Sequence, residues 1–169
     1  PGPWPEDSLA RVPYWVYQDE ANYQRELRRI FEGPTWNFVC LEADIPKPGD
    51  YRTNHVGALP VIVVRTPDGG VNCFENRCAH RGALLALENE GNVKEFQCVY
   101  HAWTYDRQGA LKGVAFKDGV RGRGGMSKTF RMQDHGPRKL YVASLCGLVF
   151  GSLSDEVPPI EEYLGEEIL

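Results

Sequence analysis

Two short segments of the chain each place one cysteine close to one histidine. Cys78 and His80 have one residue between them, and Cys98 and His101 have two. Two sulfur and two nitrogen donors suit either a tetrahedral zinc ion or an iron–sulfur cluster. This pattern constrains the fold more than any other feature, because the two loops that carry the donors must meet at one centre.

The distribution of the donors favours the cluster over zinc. Common zinc frameworks pair Cys with Cys and His with His at short intervals, so that each loop supplies like ligands. Here both loops are mixed. In a Rieske-type [2Fe–2S] cluster two Cys bind one iron and two His bind the other, so each of two loops has to reach both irons. The spacing therefore predicts such a cluster on Cys78, His80, Cys98 and His101, with a structural zinc module as the alternative.

The residues around these donors resemble a known family. The runs C-A-H-R-G and C-V-Y-H-A-W-T-Y-D are similar to the Rieske motif of the α subunits of aromatic ring-hydroxylating oxygenases. The likeness covers nearly the whole chain and includes residues 45–46, 48–51, 60–65, 75–77, 147–150 and 162–165. Residues 113–126 are most similar to family members that act on aromatic carboxylates, of the terephthalate and salicylate kind.

The resemblance implies an oxidoreductase function. The domain is expected to carry one electron through its [2Fe–2S] cluster to a mononuclear iron that activates O₂ in a dioxygenase of aromatic hydrocarbon catabolism. That Fe(II) needs two His and one carboxylate. The remaining histidines, His55 and His135, lack the required spacing, so no catalytic residue is expected in this fragment and the iron is expected in a catalytic domain beyond residue 169. Both are interpreted as ordinary surface or hydrogen-bonding residues.

Partners follow from the same resemblance. An electron donor, either a reductase or a ferredoxin, is expected, together with other α subunits and, in some parent oxygenases, a β subunit. The alternative is a free-standing Rieske-type ferredoxin that shuttles electrons between a reductase and an oxygenase.

The resemblance also implies which residues surround the cluster. Four are expected there: Arg81, Tyr100, Trp103 and Tyr105. Respiratory relatives join the two loops by a disulfide and add Ser and Tyr hydroxyls. Here Ala83 and Tyr100 stand where the loop cysteines would be, and Trp103 stands at the Ser position, whereas Tyr105 matches the Tyr. The missing disulfide and missing donor predict a reduction potential near the low end of the Rieske range, about −150 mV.

Composition and charge limit the classes of partner and the cellular location that are expected. The chain has 169 residues, 42% hydrophobic and 25% charged, which is typical of a soluble globular protein. A formal net charge of −4 argues against nucleic acid as the partner. No apolar run reaches the ~20 residues of a membrane span, and the start does not resemble a signal peptide, so a cytoplasmic location is predicted. Three further cysteines, Cys40, Cys73 and Cys146, are expected to be buried small hydrophobic residues.

The fold is predicted to be all-β, a Rieske iron–sulfur fold of short antiparallel strands in stacked small sheets. Short β-type runs separated by turns lie at 36–41, 51–56, 60–66, 71–75, 94–97, 102–106, 140–144 and 148–150. Before them, Tyr23, Leu27, Ile30 and Phe31 recur at helical intervals, with Asp19 as the N-cap.

Three regions are predicted along the chain. Residues 1–35 form an N-terminal extension with a helix, 36–154 the Rieske domain with its cluster-binding part at about 76–112, and 155–169 a short helical segment that starts a linker toward the catalytic domain. Within the Rieske domain, the basic glycine-rich stretch 113–135 is interpreted as a solvated or subunit-contacting loop.

Overall fold

Residue 4 and residues 10–168 are described by a computed structural model of the chain. Their regular structure is mostly β, which confirms the predicted fold class. The ten strands of the described residues are β1 Asn37–Leu41, β2 Asp50–Val56, β3 Leu59–Arg65, β4 Val71–Glu75, β5 Glu90–Asn92, β6 Glu95–Gln97, β7 Thr104–Asp106, β8 Leu111–Gly113, β9 Tyr141–Leu145 and β10 Leu148–Ser152.

These strands form three small antiparallel sheets. The first has the order β1-β10-β9, the second β4-β3-β2-β5, and the third β6-β7-β8. Two of the strands, β5 and β8, were not predicted. Both are three residues long, and β5 is exposed at every position, so neither carries a periodic apolar signal.

The four-stranded sheet separates two hydrophobic cores. Successive side chains of a strand point to opposite faces, and β3 follows this rule. Val61 and Val63 pack in one core with the β1-β10-β9 sheet, while Ile62 and Val64 pack in the other with the β6-β7-β8 sheet. β3 is therefore buried on both faces, which explains its uninterrupted apolar run. The second core also contains Cys78 and Cys98.

The N-terminal helix begins as predicted. Helix α1 spans Glu20–Glu26, and the Asp19 carboxylate caps it by accepting the N–H of Asn22 at 2.8 Å. The helix then widens into a π-helical turn over Leu27–Phe31. This turn lies against the β2–β3 hairpin, because a Cβ on Gly57 would approach Leu27 and Phe31 to 2.9 Å. The predicted C-terminal helical segment is confirmed as helix α2, Ile160–Leu164.

The three remaining cysteines do not share one environment. Cys40 and Cys73 are buried, as expected. Burial raises the pKa of the Cys40 thiol to about 11. The prediction for Cys146 was wrong, since it is exposed at a φ of 51° beside Gly147 at 81°. These two left-handed residues form the tight turn between β9 and β10, a position that leaves Cys146 outside both hydrophobic cores.

No helix in the described part of the chain is both long enough and apolar enough to cross a membrane.

Candidate metal centre

The first loop, residues 76–86, leaves the end of β4 and carries Cys78 and His80. It closes through two backbone hydrogen bonds on the cysteine. The N–H of Cys78 donates to the carbonyl oxygen of Ala83 at 2.8 Å, and the N–H of Gly82 donates to the carbonyl oxygen of Cys78, also at 2.8 Å. Gly82 has a φ of 74°, a left-handed conformation that glycine adopts without steric cost.

The second loop, residues 98–103, leaves the end of β6 and repeats this construction. The N–H of Cys98 donates to the carbonyl oxygen of Trp103 at 2.8 Å, and the N–H of Ala102 donates to the carbonyl oxygen of Cys98 at 2.9 Å. Ala102 takes the left-handed position with a φ of 54°. This residue explains why the predicted strand 102–106 begins only at Thr104.

Asn76 holds the first loop, a role that was not predicted from the sequence. Its side chain is 3% exposed. The amide oxygen accepts the N–H groups of Leu85 and Ala86, each at 2.9 Å, and the amide nitrogen donates to the carbonyl oxygen of Ala86 at 2.8 Å. The signal available was a short polar residue between an apolar strand and the first donor, a place where Asn often bonds nearby backbone groups.

The four predicted ligands come together at the tips of the two loops. Cys78 and Cys98 are each 2% exposed and belong to the core, and their side chains neighbour one another. His80 and His101 lie further out and are partly exposed, with ring centroids 4.7 Å apart. The arrangement therefore has an inner, buried thiol pair and an outer imidazole pair.

Both imidazoles turn an unpartnered nitrogen inward. The Nδ1 atoms of His80 and His101 are buried and have no hydrogen-bond partner. A buried polar atom left unpaired costs about 1–3 kcal/mol, and a neutral imidazole nitrogen recovers that cost by binding a metal. Desolvation, with smaller contributions from His101 and Arg81, lowers the pKa of His80 and so favours the neutral form of the ring, the form in which imidazole binds metal.

These donors fit a dinuclear cluster. Among the described residues, no group of three or more His, Cys, Asp or Glu side chains is arranged to hold a single metal ion. A Rieske [2Fe–2S] cluster asks for only two protein ligands on each iron, two Cys on one and two His on the other. The buried sulfur pair and the inward-facing nitrogen pair supply that set.

Tyr105 supports the sulfur side. Its side chain is 0% exposed, and its hydroxyl oxygen lies 3.2 Å from Cys78 Sγ. The same oxygen accepts the N–H of Ala79 at 3.0 Å. With that acceptor position filled, the hydroxyl proton is available to a Cys78 thiolate. Burial raises the pKa of Tyr105, so the hydroxyl keeps its proton.

The other predicted neighbours surround the histidines. The Trp103 indole, 3% exposed, stacks on the His80 ring at 4.8 Å with an interplanar angle of 7°. Tyr100 is 61% exposed and lies on His101 at 4.0 Å. Arg81 is exposed, and its charge is close enough to lower the pKa of His80.

Comparison with known proteins agrees with this geometry. Residues 35–122 match the family model of the Rieske [2Fe-2S] domain. The chain belongs to the Rieske [2Fe–2S] domain family. The match includes both loops and all four donor residues, and it confirms the expected cofactor class.

Relatives of this Rieske domain are oxygenase subunits, which confirms the family resemblance. It is 56% identical to the terephthalate 1,2-dioxygenase terminal oxygenase component subunit alpha 2 of Comamonas sp, over 98% of this chain and 40% of that protein. It is 49% identical to the anthranilate 1,2-dioxygenase large subunit of Burkholderia cepacia, over 98% of this chain and 39% of that protein. The chain thus spans about two fifths of these relatives.

A solved structure gives the same fold. Naphthalene 1,2-dioxygenase with indole bound in the active site superposes with a TM-score of 0.82 at 35% identity. The superposition covers 90% of this chain and 33% of that one.

His135, interpreted from the sequence as an ordinary surface or hydrogen-bonding residue, lies close to Trp103 in the structure. His135 is half-buried, and its ring centroid lies 5.9 Å from that of Trp103 and 4.4 Å from that of Phe130. His55, in contrast, is exposed as expected. Sequence spacing gives no sign of the His135 contact, because that residue lies far along the chain from both cysteine–histidine loops.

Proposed function

We propose that Cys78 and Cys98 bind one iron of a [2Fe–2S] cluster, that His80 and His101 bind the other, and that the domain carries one electron at a time. The observation that supports this most strongly is the pair of buried, unpartnered Nδ1 atoms beside two buried thiols. Replacing two of four thiolates by neutral imidazoles gives such a cluster a higher potential than an all-cysteine cluster has.

The two sides of the site differ in their exposure to solvent. The thiol side lies in the core, where Tyr105 is fully buried against Cys78. The imidazole side is partly exposed. An electron donor and an electron acceptor reach the site most closely from the histidine side, so we propose that the electron enters and leaves there.

The domain is proposed to serve the α subunit of an aromatic ring-hydroxylating oxygenase that acts on an aromatic carboxylate. The relatives at 56% and 49% identity are named for terephthalate and anthranilate, both aromatic carboxylates. In this proposal the mononuclear iron lies in a further domain and the donor is a reductase or a ferredoxin. Other α subunits, with a β subunit in some assemblies, complete a cytoplasmic enzyme.

The domain division 1–35, 36–154 and 155–169 belongs to the same proposal. It is supported by the position of helix α2 after the last strand, Leu148–Ser152.

Metal analysis and a visible spectrum test the ligand assignment. The purified chain should contain two irons and two acid-labile sulfides. The Cys98→Ser and His101→Ala variants should lose the visible absorbance, because each loop supplies half of the ligands. Cys146→Ser is the matched control, since that thiol is exposed in the β9–β10 turn, and it should keep the colour. A colourless protein with one zinc and no sulfide would contradict the assignment.

Turnover by an oxygenase assembled from the full-length subunit tests the parent activity. Terephthalate, anthranilate and salicylate should be oxidised in preference to naphthalene or biphenyl, with electrons supplied by a ferredoxin or reductase. A preference for the uncharged hydrocarbons would contradict the proposed substrate class and would leave the electron-transfer assignment intact.

A further inference from the structure

We infer that Phe130 and His135 are positioning residues for His80 and that they act through Trp103. This inference rests on the proposed role of His80 as an iron ligand. It gives a structural role to the end of the 113–135 stretch, whose composition indicates only a basic, glycine-rich loop.

Trp103 links the two rings to the ligand. Its indole lies nearly parallel to the His80 imidazole, with a centroid distance of 4.8 Å and an angle of 7°. The Phe130 ring meets the indole edge-to-face at 5.8 Å and 72°, and the His135 ring does so at 5.9 Å and 70°. Phe130 and His135 also contact each other at 4.4 Å. The three rings and His80 thus form one packed group.

Backbone contacts hold the two outer rings in place. The N–H of Phe130 donates to the carbonyl oxygen of Ser127 at 3.0 Å, and the N–H of His135 donates to that of Met132 at 3.0 Å. The His135 Nδ1 atom lies 2.8 Å from the carbonyl oxygen of Arg131. This bond fixes the plane of the His135 ring, because it ties one ring nitrogen to the adjoining backbone.

The segment is attached to the core that contains the ligands. Met126, Phe130 and Met132 are partly buried and pack against the same hydrophobic cluster as Cys78 and Cys98. The stretch was predicted to be a solvated or subunit-contacting loop, and the structure adds that its last residues also pack on the core. Residues 126–135 form an anchored wall beside Trp103, while the glycine-rich part before them remains largely exposed.

This wall constrains the His80 ring specifically. The outer torsion of a histidine side chain is broad, so packed neighbours decide the orientation of the ring. Trp103 can orient His80 only if the indole itself is held, and Phe130 and His135 hold it. His101 has a different neighbour, the exposed ring of Tyr100, tilted by 37°. His80 stacks directly on Trp103, whereas His101 adjoins His80, with ring centroids 4.7 Å apart. A change in the wall should therefore affect His80 more than His101.

Pulsed EPR of the reduced, cluster-loaded protein tests this asymmetry, because it resolves the nitrogen couplings of the two histidine ligands separately. Phe130→Leu and His135→Ala should keep wild-type iron and sulfide contents and change one of the two couplings more than the other, with the larger change in the double variant. Phe130→Tyr keeps the aromatic ring against Trp103 and should preserve both couplings. Phe116→Leu is the control on the same segment, since that ring is 73% exposed.

Other results would overturn the inference. Unchanged couplings in both single variants, or equal changes in both couplings, would show that the wall does not position His80. Loss of iron from a folded His135→Ala protein would show a general structural role instead. The proposed function fails differently, because in that case the wild-type protein itself would show no two-histidine nitrogen signal.

Discussion

Gly82 and Ala102 occupy equivalent left-handed corners of the two cysteine–histidine loops, at φ values of 74° and 54°. Each donates its N–H to the carbonyl oxygen of the loop's cysteine. The left-handed conformation costs a residue with a Cβ about 1–2 kcal/mol. We therefore predict that Ala102→Gly stabilises the protein and that Gly82→Ala destabilises it.

The expected size of the effect follows from two opposing contributions. Ala102→Gly removes about 1–2 kcal/mol of backbone strain but returns about 0.5–1 kcal/mol of chain entropy to the unfolded state. The net gain is about 0.5–1 kcal/mol, or roughly 1–4 °C in Tm for a chain of this size. Gly82→Ala reverses both contributions. A Cβ at position 82 would meet only Arg77 Nη1, at 4.0 Å, so no clash adds to the cost.

Amide hydrogen exchange and thermal denaturation measure the effect at two levels. Exchange at position 102, corrected for the intrinsic rate of glycine, should slow about 2–5-fold in Ala102→Gly, since 1.4 kcal/mol corresponds to tenfold. Loss of visible absorbance on heating should move to higher temperature. Ala110→Gly in the β7–β8 turn is the control. Ala110 is not among the residues with positive φ, so this substitution relieves no strain and should lower Tm.

A lower Tm or faster exchange in Ala102→Gly would refute the reasoning. Such a result would mean that contacts of the Ala102 methyl group outweigh its backbone strain. Gly82→Ala should still destabilise the protein in that case, because a Cβ at position 82 meets only Arg77 Nη1, at 4.0 Å, and gains no comparable contacts.

Three further predictions concern single side chains. Tyr105→Phe removes the hydroxyl that is hydrogen-bonded to Cys78, a proposed ligand. If that bond stabilises the reduced cluster over the oxidised one by about 1 kcal/mol, its loss should lower the reduction potential by about 40 mV in a redox titration. An unchanged potential would exclude this hydrogen bond as a tuning element. Asn76→Ala leaves two N–H groups and one carbonyl group of the first loop without partners, so the free energy of unfolding measured in urea should fall by about 3 kcal/mol or more. A fall of less than about 1 kcal/mol would show that water replaces the amide. Asp44 accepts the N–H of Leu41 and pairs with Arg52, which lowers the pKa of its carboxyl group. Its stabilisation is therefore complete at neutral pH and is lost as the pH falls below about 4, so stability should fall less steeply with acid in Asp44→Asn than in the wild type.

The parts of the site that were predictable are those set by neighbours along the chain. The donor spacing in each loop, the Asp19 cap and the apolar run of β3 are local patterns, and local patterns are what a sequence displays directly. The pairing of Cys78 with His80 and of Cys98 with His101 is visible within a few residues of sequence, and this mixed spacing is what predicts an iron–sulfur cluster. This is why the cofactor class was predictable and the two unpredicted strands were not.

The surroundings of the ligands depend instead on strand register, which the sequence does not display. Tyr105 lies in the three-residue strand β7, opposite Phe96, and a register shift separates it from Thr104. A slip of one residue in a strand moves every side chain to the other face. The register in which Tyr105 lies opposite Phe96 therefore decides on which face its hydroxyl meets Cys78. His135 reaches Trp103 from a segment without any regular period, so only the folded chain reveals its contact with the site.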